Sequence, residues 1–337
     1  MARLVILGAG GMGTALAVAF SQMGHEGTLW GHRPEQNSIL REKRENERLL
    51  KGIKIPEKVI IEDSVECVGE AEAVIIATPS SALRETLQKI APFIKEGVAV
   101  ACVSKGLERN TLLPLHEVAK KVLPRNPFVA LSGPSHAEEL ANGVPTVLVA
   151  ASESKQAAEF ISHLTKGSNI RIYMGDDIIG AEIGGALKNV IAFAAGIMDG
   201  MGGGDNAKAA LMTRGLTEIA RLGVKMGAKR ETFAGVSGVG DLIVTCCSMH
   251  SRNRRCGIYV GEGMTVSQAI EKVGMTVEGI TAAICAGELA KKLGVEMPIT
   301  EQVCRVIEGE TTAKAALGEL MNRPIKNEQD SNWLKEE

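Results

Sequence analysis

Residues 3–24, RLVILGAGGMGTALAVAFSQMG, constrain this chain more than any other stretch. The apolar run Leu4-Val5-Ile6-Leu7 leads straight into Gly8, Gly10 and Gly13, and Ala15 to Phe20 continue in a helical pattern. Strand, tight turn and helix are the context that gives G-x-G-x-x-G its meaning as a dinucleotide-binding turn. Gly8 permits the turn, Gly10 lets a pyrophosphate approach the backbone, and Gly13 lets the helix pack close to the strand. The helix N-terminus offers N–H groups and a positive dipole end to the phosphates. Glycine is common in this chain (38 of 337), so the context carries the weight rather than the motif.

The rest of the N-terminal half alternates between strand and helix patterns. Strands are expected at 3–7, 27–31, 73–78, 98–103, 128–132, 146–150 and 169–173. Helices are expected at 12–23, 81–94 and 155–166. Runs such as AVIIAT and VAVACV are apolar on both faces, as in a parallel sheet covered by helices on each side. From Asp177 onward helical patterns dominate: 178–199, 207–226, 265–273, 281–293 and 300–308. Thr265 with Gln268 reads as a capping box, and Thr300 after Pro298 as an N-cap. The expected architecture is a Rossmann-like doubly wound α/β domain over 1–176, an all-α domain over 177–330 and a polar tail over 331–337.

Composition narrows the partners. A net charge of −2 gives no electrostatic footprint for nucleic acid or an anionic membrane, and 3% aromatic residues leave little for base stacking. Seven cysteines at irregular spacing, with no C-x-x-C, do not form a disulfide framework. They point to a reducing compartment, and the early core strand to a chain without a signal peptide; a cytoplasmic protein is expected. Cys246, Cys247 and Cys256 are expected to be buried rather than to bind zinc, and no metal site is expected. The apolar stretch 183–198 contains Lys188 and Asn189 and reads as too short and too polar to span a bilayer.

Several polar residues stand where ligands of such a sheet would bind. The second strand ends in Leu29-Trp30-Gly31-His32-Arg33, with no carboxylate before Glu35. That favours NADP over NAD, with Arg33 and His32 facing a 2′-phosphate; a solvated loop charge is the plainer role for Arg33. Lys105 follows a strand and is placed to reach a phosphate or a substrate oxygen. Leu131-Ser132-Gly133-Pro134-Ser135-His136-Ala137 begins at another strand end. Its small residues let a ligand near the backbone, and His136 reads as a wall residue more than a general acid. The sharpest anomaly is Lys188-Asn189 inside GGALKNVIAFAAG, a helix apolar on nearly all sides. A lysine there is expensive unless paired or functional, and burial lowers a lysine pKa, which suits proton transfer. Asp241, in GVGDLIVT, is a candidate partner for Lys188, with Thr245 one turn further on the same face. Arg252 and Asn253 offer a guanidinium fork and an amide to a phosphate.

Taken together and in order, these pieces resemble the NAD(P)-dependent glycerol-3-phosphate dehydrogenase family of the bacterial type. The matching segments are GAGGMGTALA (8–17), ATPSSALRE (77–85), SKGLE (104–108), LSGPSHAEE (131–139), ALKNVIAFAAGIMDG (186–200), GVGDLIVTC (238–246), SRNR (251–254) and VEGITAA (277–283). The resemblance implies reversible reduction of dihydroxyacetone phosphate to sn-glycerol 3-phosphate for phospholipid synthesis, by a homodimer with its active site between the two domains. It implies Lys188 as general acid/base, with Lys105, Asn189, Asp241 and Thr245 as its partners and substrate-orienting groups. Gly133, Ser135, Ser251, Arg252 and Asn253 are implied to line the substrate. Gly11, Met12, His32, Arg33, Lys105, Ala137, Arg252 and Glu278 are implied as cofactor contacts beside Gly8, Gly10 and Gly13. Thr276, where valine is common in the family, joins them. A 3-hydroxyacid or 6-phosphogluconate dehydrogenase would share the buried lysine–asparagine pair, and a catalytically silent dinucleotide sensor would share the glycine turn.

Overall fold

The structure is a computed structural model that describes residues 1–325, 327 and 328; the expected polar tail lies outside the described residues. Two compact units are present, Met1–Lys105 with Leu113–Ile178, and Gly106–Leu112 with Ile179 onward.

The first unit is built on an eight-stranded sheet. Its strands are β1 (Arg3–Leu7), β2 (Glu26–Trp30), β3 (Ile60–Glu62), β4 (Ala73–Ile76), β5 (Ala99–Cys102), β6 (Phe128–Ser132), β7 (Thr146–Ala151) and β8 (Ile170–Gly175). They lie in the order β8-β7-β6-β5-β4-β1-β2-β3. Strands β1 to β6 are parallel in the arrangement 3-2-1-4-5-6 of dinucleotide-binding sheets. Both faces are buried because side chains alternate. Leu4, Ile6 and Ile75 join the layer that packs Ala15–Phe20 of helix α1 (Gly11–Gln22). Val5, Leu7, Val74 and Ile76 join the layer that packs Leu83, Leu87 and Leu115.

The sheet departs from the sequence reading in two ways. Strand β7 runs antiparallel to β6, because the link between them holds only a five-residue helix, Ala137–Ala141, too short for a parallel crossover. Strand β3 and a two-stranded ribbon, Glu45–Asn46 with Leu50–Lys54, were not expected; their segment is charge-rich and its strands are short.

The second unit is helical, and α2 (Ile178–Gly200) is its core helix. Its 23 residues match the expected helix 178–199 to within one residue, but where the apolar stretch 183–198 read as too short to span a bilayer, the whole helix could cross a membrane by length and composition alone. Instead, 89% of its apolar window is buried, so it is a core helix of this unit. Gly184 is there because an added methyl would lie 2.8 Å from the Ser237 carbonyl oxygen. Its C-terminal half crosses α5 (Arg252–Gly261) at backbone contact. Methyl groups on Gly196 and Gly200 of α2 would meet Arg254 O at 2.0 Å and Ile258 O at 2.2 Å. Methyls on Gly257 and Gly261 of α5 would meet Phe193 O at 2.1 Å and Ile197 O at 2.3 Å. Paired small residues four apart let two helices approach this closely.

The unit also takes in Gly106–Leu112, which the 176/177 boundary had assigned to the N-terminal domain. Leu107 is buried in the helical core, Leu112 packs against it, and Arg109 pairs with Glu288 at 2.8 Å. The capping box at Thr265 and Gln268 is present. Thr300 is not an N-cap. Pro298 occupies the first turn of α7 (Pro298–Ile307), and the buried Glu218 of α3 (Gly204–Lys225) caps it, accepting from Ile299 N at 2.6 Å and from Thr300 N and Oγ1 at 3.1 and 3.0 Å.

Burial outweighs these three hydrogen bonds and pushes the Glu218 carboxyl up from 4.5 to about 7. The folded chain therefore holds a proton that the unfolded chain releases between those values. The resulting stabilisation is complete below about 4.5 and is lost as the pH rises through about 7. We expect the stability of the wild type relative to Glu218→Gln to fall between pH 5 and 8 by up to about 3 kcal/mol in denaturant titrations. A pH-independent difference would contradict this.

Candidate active site

In the first unit the glycine turn joins β1 to α1 at the point where the strand order reverses. Gly8 has φ +119°, and a side chain there would lie 2.7 Å from the Ala77 backbone beyond β4. A methyl on Gly13 would lie 1.8 Å from Gly8 O, and one on Gly11 would lie 2.8 Å from Leu49 O. At Gly10 nothing lies within 4 Å of an added methyl. Three glycines are thus closed in by protein and one faces open space. Gly10 caps α1 without a side-chain hydrogen bond, and the first turn holds no acidic residue, so its amides face outward without a competing carboxylate.

Residues that sequence reasoning missed brace this turn. Asn46, buried in the ribbon, donates to Ala9 O at 3.2 Å and to Thr14 Oγ1 at 3.0 Å, and Gln36 Nε2 donates to Ala9 O at 3.1 Å. Nothing local in the sequence signals these contacts, which span 27 to 37 residues.

Other predicted residues gather at neighbouring strand ends. Lys105, after β5, donates to Gly133 O at 3.1 Å, and Ser135 Oγ donates to the same oxygen at 3.0 Å. Ala137 starts its short helix with its Cβ 3.9 Å from where a Gly11 methyl would sit, which places Met12's turn and the 133–137 loop side by side. Thr78 Oγ1 after β4 and Ser132 Oγ at the end of β6 are buried without a hydrogen-bond partner among the described residues. These orphaned hydroxyls, the open side of Gly10 and the uncapped α1 amides fit a dinucleotide. His32 and Arg33 are exposed beyond β2, where Arg33 donates to Gln36 Oε1 at 2.7 Å.

The second unit carries the buried charge. Lys188 on α2 pairs with Asp241 and donates to Thr245 Oγ1 at 2.8 Å. Asp241 is 0% exposed and opens α4 (Asp241–Cys247), just after a π-helical turn at Val236–Gly240. Thr245 donates its own proton to Asp241 O at 2.6 Å, which turns a lone pair toward the ammonium. Asn253 Nδ2 donates to Asn189 Oδ1 at 2.9 Å, while its Oδ1 accepts from Gly279 N at 2.8 Å in α6 (Glu278–Leu293). Gly279 is required there, since a methyl would lie 2.6 Å from Asn189 O. Asn253 thus ties Asn189 to the start of α6, with one of its two amide protons making no hydrogen bond among the described residues.

Ser251 caps α5 by accepting from Arg254 N at 3.2 Å. Arg252, half-buried, makes no side-chain hydrogen bond or ion pair among the described residues. Thr276 is exposed and Glu278 half-buried at the start of α6. Cys246 and Cys256 are buried, and burial pushes their thiols up to about 12 and about 11, so both are inert at neutral pH; Cys247, expected to be buried, is exposed.

Because Gly10 faces open space, Gly10→Ala should fold with an unchanged melting temperature yet weaken NADPH or NADH binding by about tenfold or more, the effect of a blocked backbone approach to the pyrophosphate. Fluorescence titration and thermal melts check both halves; unimpaired binding would show that no pyrophosphate lies against this residue.

Residues 3–158 match the pattern described as NAD-dependent glycerol-3-phosphate dehydrogenase N-terminus, and 177–318 match its C-terminus. A glycerol-3-phosphate dehydrogenase, NAD(P)+, of Clostridium perfringens is 47% identical over 98% of this chain and 100% of its own length. One of Clostridium tetani is 45% identical over 96% and 93%. The crystal structure of glycerol-3-phosphate dehydrogenase from Coxiella burnetii superposes with a TM-score of 0.92 at 36% identity, covering 96% of this chain and 99% of that one. The chain belongs to the NAD-dependent glycerol-3-phosphate dehydrogenase family.

Proposed function

We propose that this chain reduces dihydroxyacetone phosphate reversibly to sn-glycerol 3-phosphate, with NADP(H) favoured over NAD(H). The observation that carries the reading is the buried Lys188–Asp241–Thr245 cluster in a unit of the matching family. The first unit holds the dinucleotide, through Gly8, Gly10, Gly11, Met12 and Gly13 and through the loops that carry Lys105 and Ala137. The family resemblance implies Thr276 and Glu278 as further cofactor contacts. The absence of a carboxylate at the end of β2, with His32 and Arg33 exposed there, supports room for a 2′-phosphate.

When bound, the reduced nicotinamide supplies a hydride to the substrate's carbonyl carbon. Lys188 stabilises the negative charge that develops on the carbonyl oxygen and delivers the proton to it, so the ketone becomes the secondary alcohol. Asp241 and Thr245 fix the direction of the ammonium, and Asn189, held by Asn253, orients the same end of the substrate. The family resemblance implies Lys105, Gly133 and Ser135 as further substrate-lining residues. Arg252, with Ser251 and the remaining amide proton of Asn253, takes the phosphate and so positions the reacting end. The seven cysteines are all free thiols, which supports a reducing, cytoplasmic location.

Lys188→Ala should lower kcat by about 10²- to 10⁴-fold, the usual range for a lost general acid, while NADPH still binds. Steady-state kinetics with dihydroxyacetone phosphate and NADPH titration check this. Turnover near the wild-type value would remove Lys188 from the mechanism.

A further inference from the structure

The sequence 252–255 holds three arginines, and the structure separates them. Arg254 is neutralised: its Nε and Nη2 each lie 2.8 Å from Asp199 Oδ2, and its Nη1 donates to Cys247 O at 2.7 Å. Burial works against the charge on Asp199, but the hydrogen bonds from Lys208 and Arg254 outweigh it and hold its carboxyl below the usual range. Arg254 is therefore a structural link between the ends of α2 and α4 and the first turn of α5.

Arg255 is different. It is half-buried, its Nε is buried with no hydrogen-bond partner, and its side chain makes no ion pair among the described residues. A buried, unsatisfied guanidinium nitrogen is costly unless a ligand completes it. Arg252 lies three residues earlier and is equally without a partner. Residues three apart on a helix share a face, with Cβ atoms about 5–6 Å apart, whereas Arg254 lies on the other side. The first turn of α5 thus presents two uncompensated guanidinium groups on one face, in a protein whose net charge is −2.

We propose that Arg255 is a second binding residue for the phosphate group that Arg252 takes. Two guanidinium groups on one side suit a dianionic phosphate, since each can donate a fork of hydrogen bonds to its oxygens. The source is either the phosphomonoester of the three-carbon substrate or a phosphate of the dinucleotide. The inference rests on the reading of Arg252 given above.

The test compares Arg255→Gln, Arg255→Lys and Arg252→Ala with the wild type. It reads KM for dihydroxyacetone phosphate, kcat, and Kd for NADPH, with thermal melts as a check of folding. The expected result is a rise of about tenfold in one of the two affinities for Arg255→Gln, with kcat changed far less and partial recovery in Arg255→Lys. A rise in KM alone assigns the substrate phosphate; a rise in the NADPH Kd alone assigns the cofactor. If Arg252→Ala weakens binding and Arg255→Gln, folded, changes neither constant, this inference fails and the reading of Arg252 stands. If both variants leave both constants unchanged, the reading of Arg252 fails and takes this inference with it. Should Arg255→Gln not fold, Arg255→Lys decides: an affinity equal to that of the wild type would overturn a guanidinium-specific contact.

Discussion

The ion pair between Lys188 and Asp241 is what the helical unit is organised around. Taking two charges out of water costs several kcal/mol each, and a buried pair is tolerated only when its geometry is good and its remaining protons and lone pairs are met. Here Thr245 supplies the extra acceptor, and the π-helical turn before Asp241 sets the carboxylate at the start of α4. Removing one partner would leave the other buried without this counter-charge, a loss of about 3–5 kcal/mol. A hydrophobic pair would give the core the same packing without that risk. Packing alone therefore does not account for the charge.

The second constraint is distance between backbones. Gly196 and Gly200 of α2 meet Gly257 and Gly261 of α5 at carbonyl contact, and Gly279 brings the start of α6 against Asn189. These approaches set Asn253 against Asn189 and place the arginine-bearing turn of α5 relative to Lys188. Within the first unit, the glycine turn obeys the same logic. Gly8 and Gly13 are closed by neighbouring backbone, and Gly10 alone stays open. In both units glycine marks where main chains must touch, and in the first unit Gly10 marks open space beside the turn.

Features carried by local sequence were legible. Buried parallel strands show as apolar runs, so β1, β4, β5 and β6 were found to within a residue or two. The roles of Gly8, Gly10 and Gly13 follow from backbone sterics in a six-residue window. Lys188 stands out because a charge in an all-round apolar helix contradicts its surroundings. What stayed hidden depends on residues far apart in sequence. Asn46 and Gln36 brace the glycine turn from a charge-rich segment with no motif, and Glu218 caps a helix that begins 80 residues later. The glycine pairs GIMDG and GIYVG are plain in the sequence, but only their crossing shows that each needs the other. Strand β7 reverses because its link is short, and an apolar run does not record its own direction.

The most direct test of the account follows reduced-nicotinamide absorbance with dihydroxyacetone phosphate, with NADPH and NADH in parallel and a 3-keto acid as comparison substrate. The account predicts turnover of dihydroxyacetone phosphate, a higher kcat/KM with NADPH than with NADH, and no turnover of the keto acid. Folded protein that binds NADPH but leaves dihydroxyacetone phosphate untouched would contradict it.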